Sequence, residues 1–283
     1  MSIDNFIPAV WSARILENLQ KRLVYGAICN RDYEGEIREY GDRVKINSIG
    51  AVTIGDYVKN TDMGSPETLT GDQKELIIDQ SKFFNFQVDD IDKAQQKPKV
   101  MVSATQNAGY GLADVADKFI AGLYTGSTNF IGSDGAPVVL TTPEQAYNYL
   151  VDLGVKLDES NTPTVGRWVV VPPWFEALLR LDKRFIASGN SGSDQAIYQG
   201  ITGYASGFTI YKSNNVPSTD TATAFKIQAG FNGTLSFAAQ ITDVEAYRPE
   251  QRFADALKGL AVYGAKLVRP DTMAVLVVNR FEA

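Results

Sequence analysis

The stretch KVMVSATQNAGYGLADVADKFIAGLY, residues 99–124, decides the fold because it predicts a single, unusually long helix. Its apolar positions 112, 115, 116, 119, 120, 123 and 124 advance by steps of three and one, which places them on one helix face. Pro98 and Gly126 flank the stretch as a helix start and stop. At about 1.5 Å per residue such a helix spans ~39 Å, whereas the mean globular helix has roughly 11–12 residues. We therefore expect an element that a single compact domain would not need.

Upstream of this helix, residues 33–91 predict a long β-hairpin. Arg43–Ile49 and Val52–Val58 are rich in β-forming residues, and the Gly- and Pro-containing residues 60–72 predict a flexible tip. The even-numbered residues from 78 to 88 share one face of the return strand. Polar and apolar residues are mixed on both faces, which indicates a strand that is exposed on both sides or covered by a partner.

Three phenylalanines, Phe83, Phe84 and Phe86, are divided between the two faces of that return strand. Burying one Phe side chain contributes about 1.5–3 kcal/mol, so exposure of all three would be costly. We expect them to lie where the base of the hairpin meets the body of the protein or a neighbouring copy.

The remaining sequence predicts an amphipathic arm before the hairpin and a mixed α/β region after the long helix. In residues 1–30, apolar residues recur at helical spacing: Ile7, Val10, Trp11, Ile15, Leu19 and Leu23. The elements predicted in residues 130–283 are a helix at Pro143–Leu153, a strand at Arg167–Val171, a helix at Trp174–Leu181, a loop at Ser188–Gly207, an alternating strand at Leu235–Ile241, a short helix at Glu250–Lys258, and closing strands at Leu260–Val268 and Met273–Val278.

Composition excludes several classes of chemistry. The 283 residues are 44% hydrophobic and 21% charged, which is an ordinary globular composition. The absence of histidine excludes Ser-His and Cys-His catalysis and histidine-ligated zinc. The single cysteine, Cys29, excludes an intrachain disulfide, and its apolar neighbours predict a buried thiol. The net charge of −6 argues against a protein that mainly grips phosphate backbones, and the sequence contains no apolar run of about 18 residues that would span a membrane.

The sequence motifs that bear on chemistry are weak. Asp89, Asp90 and Asp92 offer oxygen ligands for Mg²⁺ or Ca²⁺, but the Gly and distal Glu of an EF-hand are missing, and a solvated strand end is the simpler interpretation. Gly109–Asp114 begins like a dinucleotide fingerprint without its third Gly or a preceding strand, so its glycines more simply soften the long helix. Asn232–Thr234 matches a glycosylation sequon and is more simply a turn.

We therefore predict no enzyme and no catalytic, cofactor-binding or metal-binding residues. The 33 acidic residues leave an acidic-site hydrolase as an open alternative, although no spacing selects a carboxylate pair. The arm, the two-faced hairpin and the long helix are instead typical of a subunit that buries its elements on its neighbours.

Several stretches resemble, in a consistent order, the major capsid proteins of tailed bacteriophages with the Hong Kong 97 fold. The matching stretches are FIPAVWS at 6–12 for the start of the N-terminal arm, NRDYEG at 30–35 with GDRV at 41–44 for the beginning of the extended loop, IDQ at 78–80 and FQVDDID at 86–92 for the return strand before the spine helix, and KGLAVYGAK at 258–266 with Arg269-Pro270 for the closing strands.

This resemblance implies an α+β fold of the Hong Kong 97 type with four parts. The parts would be an N-terminal arm at 1–30, an extended β-hairpin loop at 33–91, a peripheral domain with a long spine helix at 92–129 and 231–283, and an axial domain at 130–230. An encapsulin-like nanocompartment shell is the alternative within the same fold, although no sequence feature indicates a cargo pocket.

The resemblance also implies the function and the partners. The chain would self-assemble through pentamers and hexamers into an icosahedral shell in the host cytoplasm, and would enclose double-stranded DNA in the virion without sequence-specific contacts. A portal protein and a separate scaffolding protein would be its partners, a decoration protein would be optional, and no membrane would be involved. We expect the scaffolding protein to be separate because the arm-like stretch begins by Phe6, and the 104 residues from Ser127 to Gly230 leave no room for a large inserted domain.

Overall fold

A computed structural model describes residues 23–32, 43–49, 71–89, 99–182, 201–219, 224–251 and 253–280, together with positions 54, 56, 59, 60 and 68. The described helices are α1 (Tyr25–Ile28), α2 (Lys99–Gly122), α3 (Pro143–Glu159) and α4 (Pro173–Leu181). The described strands are β1 (Arg43–Ile49), β2 (Gly71–Ile77), β3 (Gln80–Asp89), β4 (Asn129–Ile131), β5 (Arg167–Val171), β6 (Ile201–Ala205), β7 (Phe208–Lys212), β8 (Ala224–Phe231), β9 (Leu235–Tyr247), β10 (Ala254–Leu267) and β11 (Ala274–Asn279). Most of the predicted N-terminal arm lies outside the described residues.

The long helix is confirmed. α2 has 24 residues and continues into a single 3-10 turn, Leu123–Gly126. The predicted apolar face is the buried one around Leu112, Ala116 and Ile120, whereas Val115 at its margin is 40% exposed. The helix runs without interruption through Gly109 and Gly111. None of the described helices, α2 included, is long and apolar enough to cross a membrane.

A three-stranded antiparallel sheet in the order β3-β10-β9 lies against α2. Ala116 and Ile120 of the helix share one hydrophobic core with Phe237 of β9 and Tyr263 of β10. The ring of Phe119 meets the ring of Tyr263 edge-on, with 5.7 Å between the centroids. One face of the sheet is therefore covered by α2. The β1-β2 hairpin covers the opposite face around Ala238 and Val262, and that face is open to solvent or to a partner around Phe83 and Leu260.

The predicted hairpin is partly wrong. The strand predicted at Arg43–Ile49 is confirmed as β1, but it pairs antiparallel with β2, which begins inside the predicted tip; the pairs run from Arg43 opposite Ile77 to Ile49 opposite Gly71. The return strand predicted at residues 77–88 is β3, which pairs with β10 instead of with the hairpin. Ile78 is fully buried between the two strands and shares a cluster with Val262 of β10, so the chain changes sheets at this residue. The predicted strand Val52–Val58 lies outside the described residues except for positions 54 and 56.

The short helix predicted at Glu250–Lys258 is also wrong. Residues 254–258 belong to β10, a strand of 14 residues. Their sequence, Ala-Asp-Ala-Leu-Lys, has good helix propensity, but β10 is the central strand and pairs with both β3 and β9. Strand pairing on two sides outweighs a preference of a few tenths of a kcal/mol per residue, which is roughly the size of helix propensities.

A six-stranded mixed sheet in the order β4-β11-β8-β5-β7-β6 forms the second layer of the structure, with α3 and α4 packed on it. The loop predicted at Ser188–Gly207 is wrong over its last part, because residues 201–205 form the edge strand β6. Ser206 and Gly207 have φ angles of 50° and 81°, and two positive φ angles in succession close the tight hairpin between β6 and β7. Residues 188–200 lie outside the described part of the chain.

The two closing strands are confirmed but enter different sheets. β10 belongs to the three-stranded sheet and β11 to the six-stranded sheet. The connection between them, Arg269–Thr272, contains the 3-10 segment Pro270–Thr272 and carries the chain from one sheet to the other. α3 extends six residues beyond its predicted end, to Glu159.

Candidate assembly surface

The face of the β3-β10-β9 sheet opposite α2 carries an apolar row beyond the part that the hairpin covers. Because strand side chains alternate, Phe84 packs into the core with α2 while Phe83 points to the opposite face. Phe83 is 79% exposed, and Leu260, directly opposite it on β10, is 37% exposed. An exposed Phe beside a half-exposed Leu is the kind of patch that marks a contact with another molecule.

A polar row runs parallel to the apolar one. Asn85, Lys258 and Glu245 lie opposite one another across the three strands. The ammonium Nζ of Lys258 lies 2.7 Å from Oε2 of Glu245 and 5.2 Å from the centroid of the Tyr247 ring. The hydroxyl of Tyr247 donates to Oδ1 of Asn85 at 3.1 Å. The hydrogen bond and charge of Glu245 raise the pKa of Lys258. The positive charge of Lys258 and the negative charge of Glu245 cancel, so this row has no net charge.

The two rows enclose a groove of about 690 Å³ across the sheet. Its walls are Phe83 with Leu260 on one side and the Asn85-Lys258-Glu245 row on the other. Its floor is the strand backbone at Phe84, Gly259 and Val244, which lie opposite one another in adjacent strands. The groove offers apolar surface and hydrogen-bonding groups, and the part of the chain that the structure describes contains no cluster of potential metal ligands.

On the covered face, Phe84 fills the space above a glycine. A Cβ atom at Gly259 would lie 2.3 Å from the Phe84 ring, so the ring rests directly on the glycine backbone. The Phe84 ring also stacks on Phe86, with 6.0 Å between centroids. The prediction for the three phenylalanines therefore holds for Phe84 and Phe86, which are partly buried against the body, whereas Phe83 is exposed on a single chain.

The opposite environments of Phe83 and Phe84 give a matched pair of variants. Phe84→Ala removes a ring packed on Gly259 and the α2 core, and we expect a loss of about 3 kcal/mol in the free energy of unfolding. Phe83→Ala removes a mostly exposed ring, and the expected change is below about 0.5 kcal/mol. Chemical denaturation of both variants as unassembled protein measures the difference. Equal losses would contradict the assignment of the two faces.

The base of the hairpin has its own small core next to this sheet. Val44 and Ile46 of β1 and Leu76 of β2 are buried together with Ile78 and Val262. Lys74 of β2 donates a hydrogen bond from Nζ to the carbonyl oxygen of Val268 at 2.5 Å. A Cβ at Gly264 of β10 would lie 2.3 Å from the carbonyl oxygen of Ile77, so the hairpin backbone approaches β10 as closely as a glycine permits.

Residues singled out from the sequence fall at structural positions. Cys29 is buried, as expected, and its burial raises the pKa of the thiol far above the usual range. Asn232–Thr234 forms the turn between β8 and β9, where Thr234 is fully buried and donates to the carbonyl oxygen of Thr272 at 3.2 Å. Asp89 ends β3, while Asp90 and Asp92 lie outside the described residues.

Sequence reasoning missed Leu260, Gly264 and Asp117. The signal for the first two was the pattern of isolated glycines within a strand, Gly259 and Gly264, which indicates close approach of another backbone or ring. Asp117 gave no signal, because a lone acidic residue on an amphipathic helix is ordinarily on the solvated side.

The fold is shared with proteins of virus shells. A structure from Mycobacterium phage Che8 has 29% identity and a TM-score of 0.70, with 90% of each chain covered. The mature capsid of bacteriophage PhiM1 has 14% identity and a TM-score of 0.63, with 89% of this chain and 88% of that chain covered. A virus-like particle from Pyrococcus furiosus has 15% identity and a TM-score of 0.59, with 95% and 98% covered. These similarities show that the chain has the Hong Kong 97-like fold.

The family follows from the sequence itself. Residues 74–278 match the family described as phage capsid protein, and this range is well over half of the chain. The chain therefore belongs to the phage capsid protein family: it is a major capsid protein of the virion, and its copies form the phage shell. No curated protein matches the sequence significantly.

Proposed function

We propose that the chain assembles as pentamers and hexamers into an icosahedral shell around double-stranded DNA, with the groove of the β3-β10-β9 sheet as a contact between copies. The observation that supports this contact is Phe83, which is 79% exposed beside Leu260 in a protein whose function is to associate with itself. Burial of one Phe contributes about 1.5–3 kcal/mol, and a closed shell repeats that contribution at every copy.

The proposed occupant of the groove is part of a second copy. The apolar wall of Phe83 and Leu260 suits an aliphatic or aromatic side chain, and Asn85 on the opposite wall offers hydrogen bonds. Because Lys258 and Glu245 already neutralise each other, the groove favours a segment without excess charge. Ion pairs at such exposed positions are worth only about 0–1 kcal/mol, so the apolar wall would supply most of the affinity.

The proposed partners of the shell are a separate scaffolding protein and a portal protein, with assembly in the host cytoplasm and a decoration protein as an optional addition. The net charge of −6 supports DNA packaging without general attraction between shell and phosphate backbone. We propose no catalytic activity, because the described residues contain no metal-ligand cluster and the groove contains a single acidic side chain, Glu245, already paired with Lys258.

The proposed domain division follows the resemblance with two adjustments. The arm (1–30), extended loop (33–91), peripheral domain (92–129 and 231–283) and axial domain (130–230) stay as the framework. We place β3 with the peripheral sheet because it pairs with β10, and β11 with the axial sheet because it pairs with β8 and β4.

Electron microscopy of the expressed chain, alone and together with the phage's other assembly genes, tests this proposal. We expect irregular sheets, rings or open shells from the chain alone and uniform closed shells when a scaffolding protein is present. Uniform closed shells from the chain alone would refute the separate scaffold but support the shell. A small monomer under both conditions, with turnover on a panel of glycans, would refute the shell and support the hydrolase alternative.

A further inference from the structure

A buried carboxylate joins the N-terminal segment to the long helix. Asp117 of α2 is 2% exposed. Its Oδ2 accepts the backbone N–H of Val24 at 2.8 Å, and its Oδ1 accepts that of Gly26 at 3.2 Å. The donors lie more than 90 residues upstream in the chain. One side chain thus fastens residues 23–29 to the face of α2 through both carboxylate oxygens.

The fastened segment is a small apolar plug. Leu23, Tyr25, Ile28 and Cys29 are buried in the same core as α2, with Tyr25 at 0% exposure. Asn30, just beyond the plug, is bonded to the edge of β9 through Leu235 and Phe237. The plug therefore opens only if the Asp117 bonds break while the apolar side chains leave the core.

Among the described residues, no cation is close enough to Asp117 to affect its pKa. Lys118, the neighbouring cation on α2, forms its ion pair with Asp114 at 2.6 Å. Arg31 donates from Nε to the carbonyl oxygen of Gly26 at 3.2 Å. In the part of the chain that the structure describes, the titratable and charged groups around this site are Asp114 and Lys118 on α2, Tyr25 and Cys29 in the plug, Arg31 after it, and Tyr263 on β10.

Burial is the dominant influence on this carboxyl group. Burial raises the pKa of Asp117, the amide donors of Val24, Gly26 and Tyr25 lower it, and the charge of Asp114 raises it. Together these influences raise the pKa of Asp117 to about 6. If the plug detaches, water reaches the carboxyl group and its pKa returns to the ordinary value for aspartate. A group whose pKa is higher in the attached state favours attachment at low pH, and that contribution is lost as the pH rises toward 6.

We propose that Asp117 is a proton-controlled latch, which holds residues 23–29 more tightly on α2 when its carboxyl group is protonated and releases them more readily near neutral pH. Protonation removes the uncompensated buried charge and leaves an oxygen that still accepts an amide hydrogen bond. The latch controls how readily the N-terminal segment leaves the spine helix, and it is independent of how copies contact one another.

The single cysteine of the chain reports directly on this latch. Cys29 lies in the plug and is buried, so a thiol reagent modifies it only when the plug opens. The rate of modification is measured against pH for the natural chain and for Asp117→Asn. Dividing the rate of the natural chain by the rate of the variant cancels the intrinsic pH dependence of the thiol. We expect the ratio to rise about tenfold between pH 5 and pH 7 and then level off. A flat ratio would overturn the proposal.

Two further measurements keep the test decisive. Asp114→Asn removes a partly exposed carboxylate one turn away, and it should retain a pH dependence in the same direction, with a midpoint at slightly lower pH because the charge of Asp114 raises the pKa of Asp117. If Asp117→Asn does not fold, hydrogen exchange of the Val24 and Gly26 amides in the natural chain is measured instead. Their protection, corrected for the intrinsic exchange rate, should fall about tenfold over the same pH range, and constant protection would refute the latch.

Discussion

Replacing Phe83 with Asp should abolish shell assembly while leaving the single chain folded. Phe83 is 79% exposed on one chain, so the change in the free energy of unfolding should be below about 0.5 kcal/mol. In the contact between copies, the same change removes apolar burial and introduces an unpaired carboxylate, whose desolvation costs several kcal/mol. Because each copy repeats this penalty, we expect no closed shells by electron microscopy and a small species by sedimentation.

The controls separate charge, position and size. Val165→Asp introduces the same charge at a residue that is 85% exposed in the turn before β5, away from the groove, and we expect it to assemble. Phe83→Leu keeps an apolar side chain opposite Leu260 and should assemble with weaker contacts. Normal shells from Phe83→Asp would show that the groove is not a contact between copies.

The sequence predicted the features that depend on local periodicity. The steps of three and one through Leu112, Ala116 and Ile120 identified α2 and its buried face, because an amphipathic helix must turn one stripe to the core. The sequence also predicted that Phe83 and Phe84 lie on opposite faces of a strand, because successive side chains of a strand point to opposite sides of the sheet.

The sequence did not predict features that depend on which distant strands pair. Residues 254–258 have helix-forming character, but pairing with β3, and from Ala256 onward also with β9, holds them in a strand. The split between β2 and β3 depends on the contact of Ile78 with Val262, which lies 262 − 78 = 184 residues later in the chain. The contacts of Asp117 could not be predicted from the sequence, because the hydrogen-bond donors of Val24 and Gly26 are backbone amides and do not depend on the side chains at those positions.

Replacing Gly264 with Ala should detach the hairpin base from the three-stranded sheet. The new Cβ would lie 2.3 Å from the carbonyl oxygen of Ile77 and 2.9 Å from Cδ1 of Ile78. The first of these atoms belongs to the backbone, so a rotamer change cannot relieve the contact and the strands must move apart. That movement opens the small core around Leu76 and Ile78, both fully buried. We expect a loss of about 3 kcal/mol in the free energy of unfolding.

Gly111→Ala is the matched control, and it should have the opposite sign. A Cβ at Gly111 meets nothing within 4 Å, and the residue lies inside α2. Alanine is favoured over glycine in a helix interior by roughly 1 kcal/mol, so this variant should be more stable than the natural chain. Chemical denaturation of the two variants compares the signs directly, and hydrogen exchange of the β1 and β2 amides locates the loss. If Gly264→Ala is as stable as the natural chain, the hairpin base does not depend on the close approach of β10, and its attachment must rest on Lys74 and the apolar cluster alone.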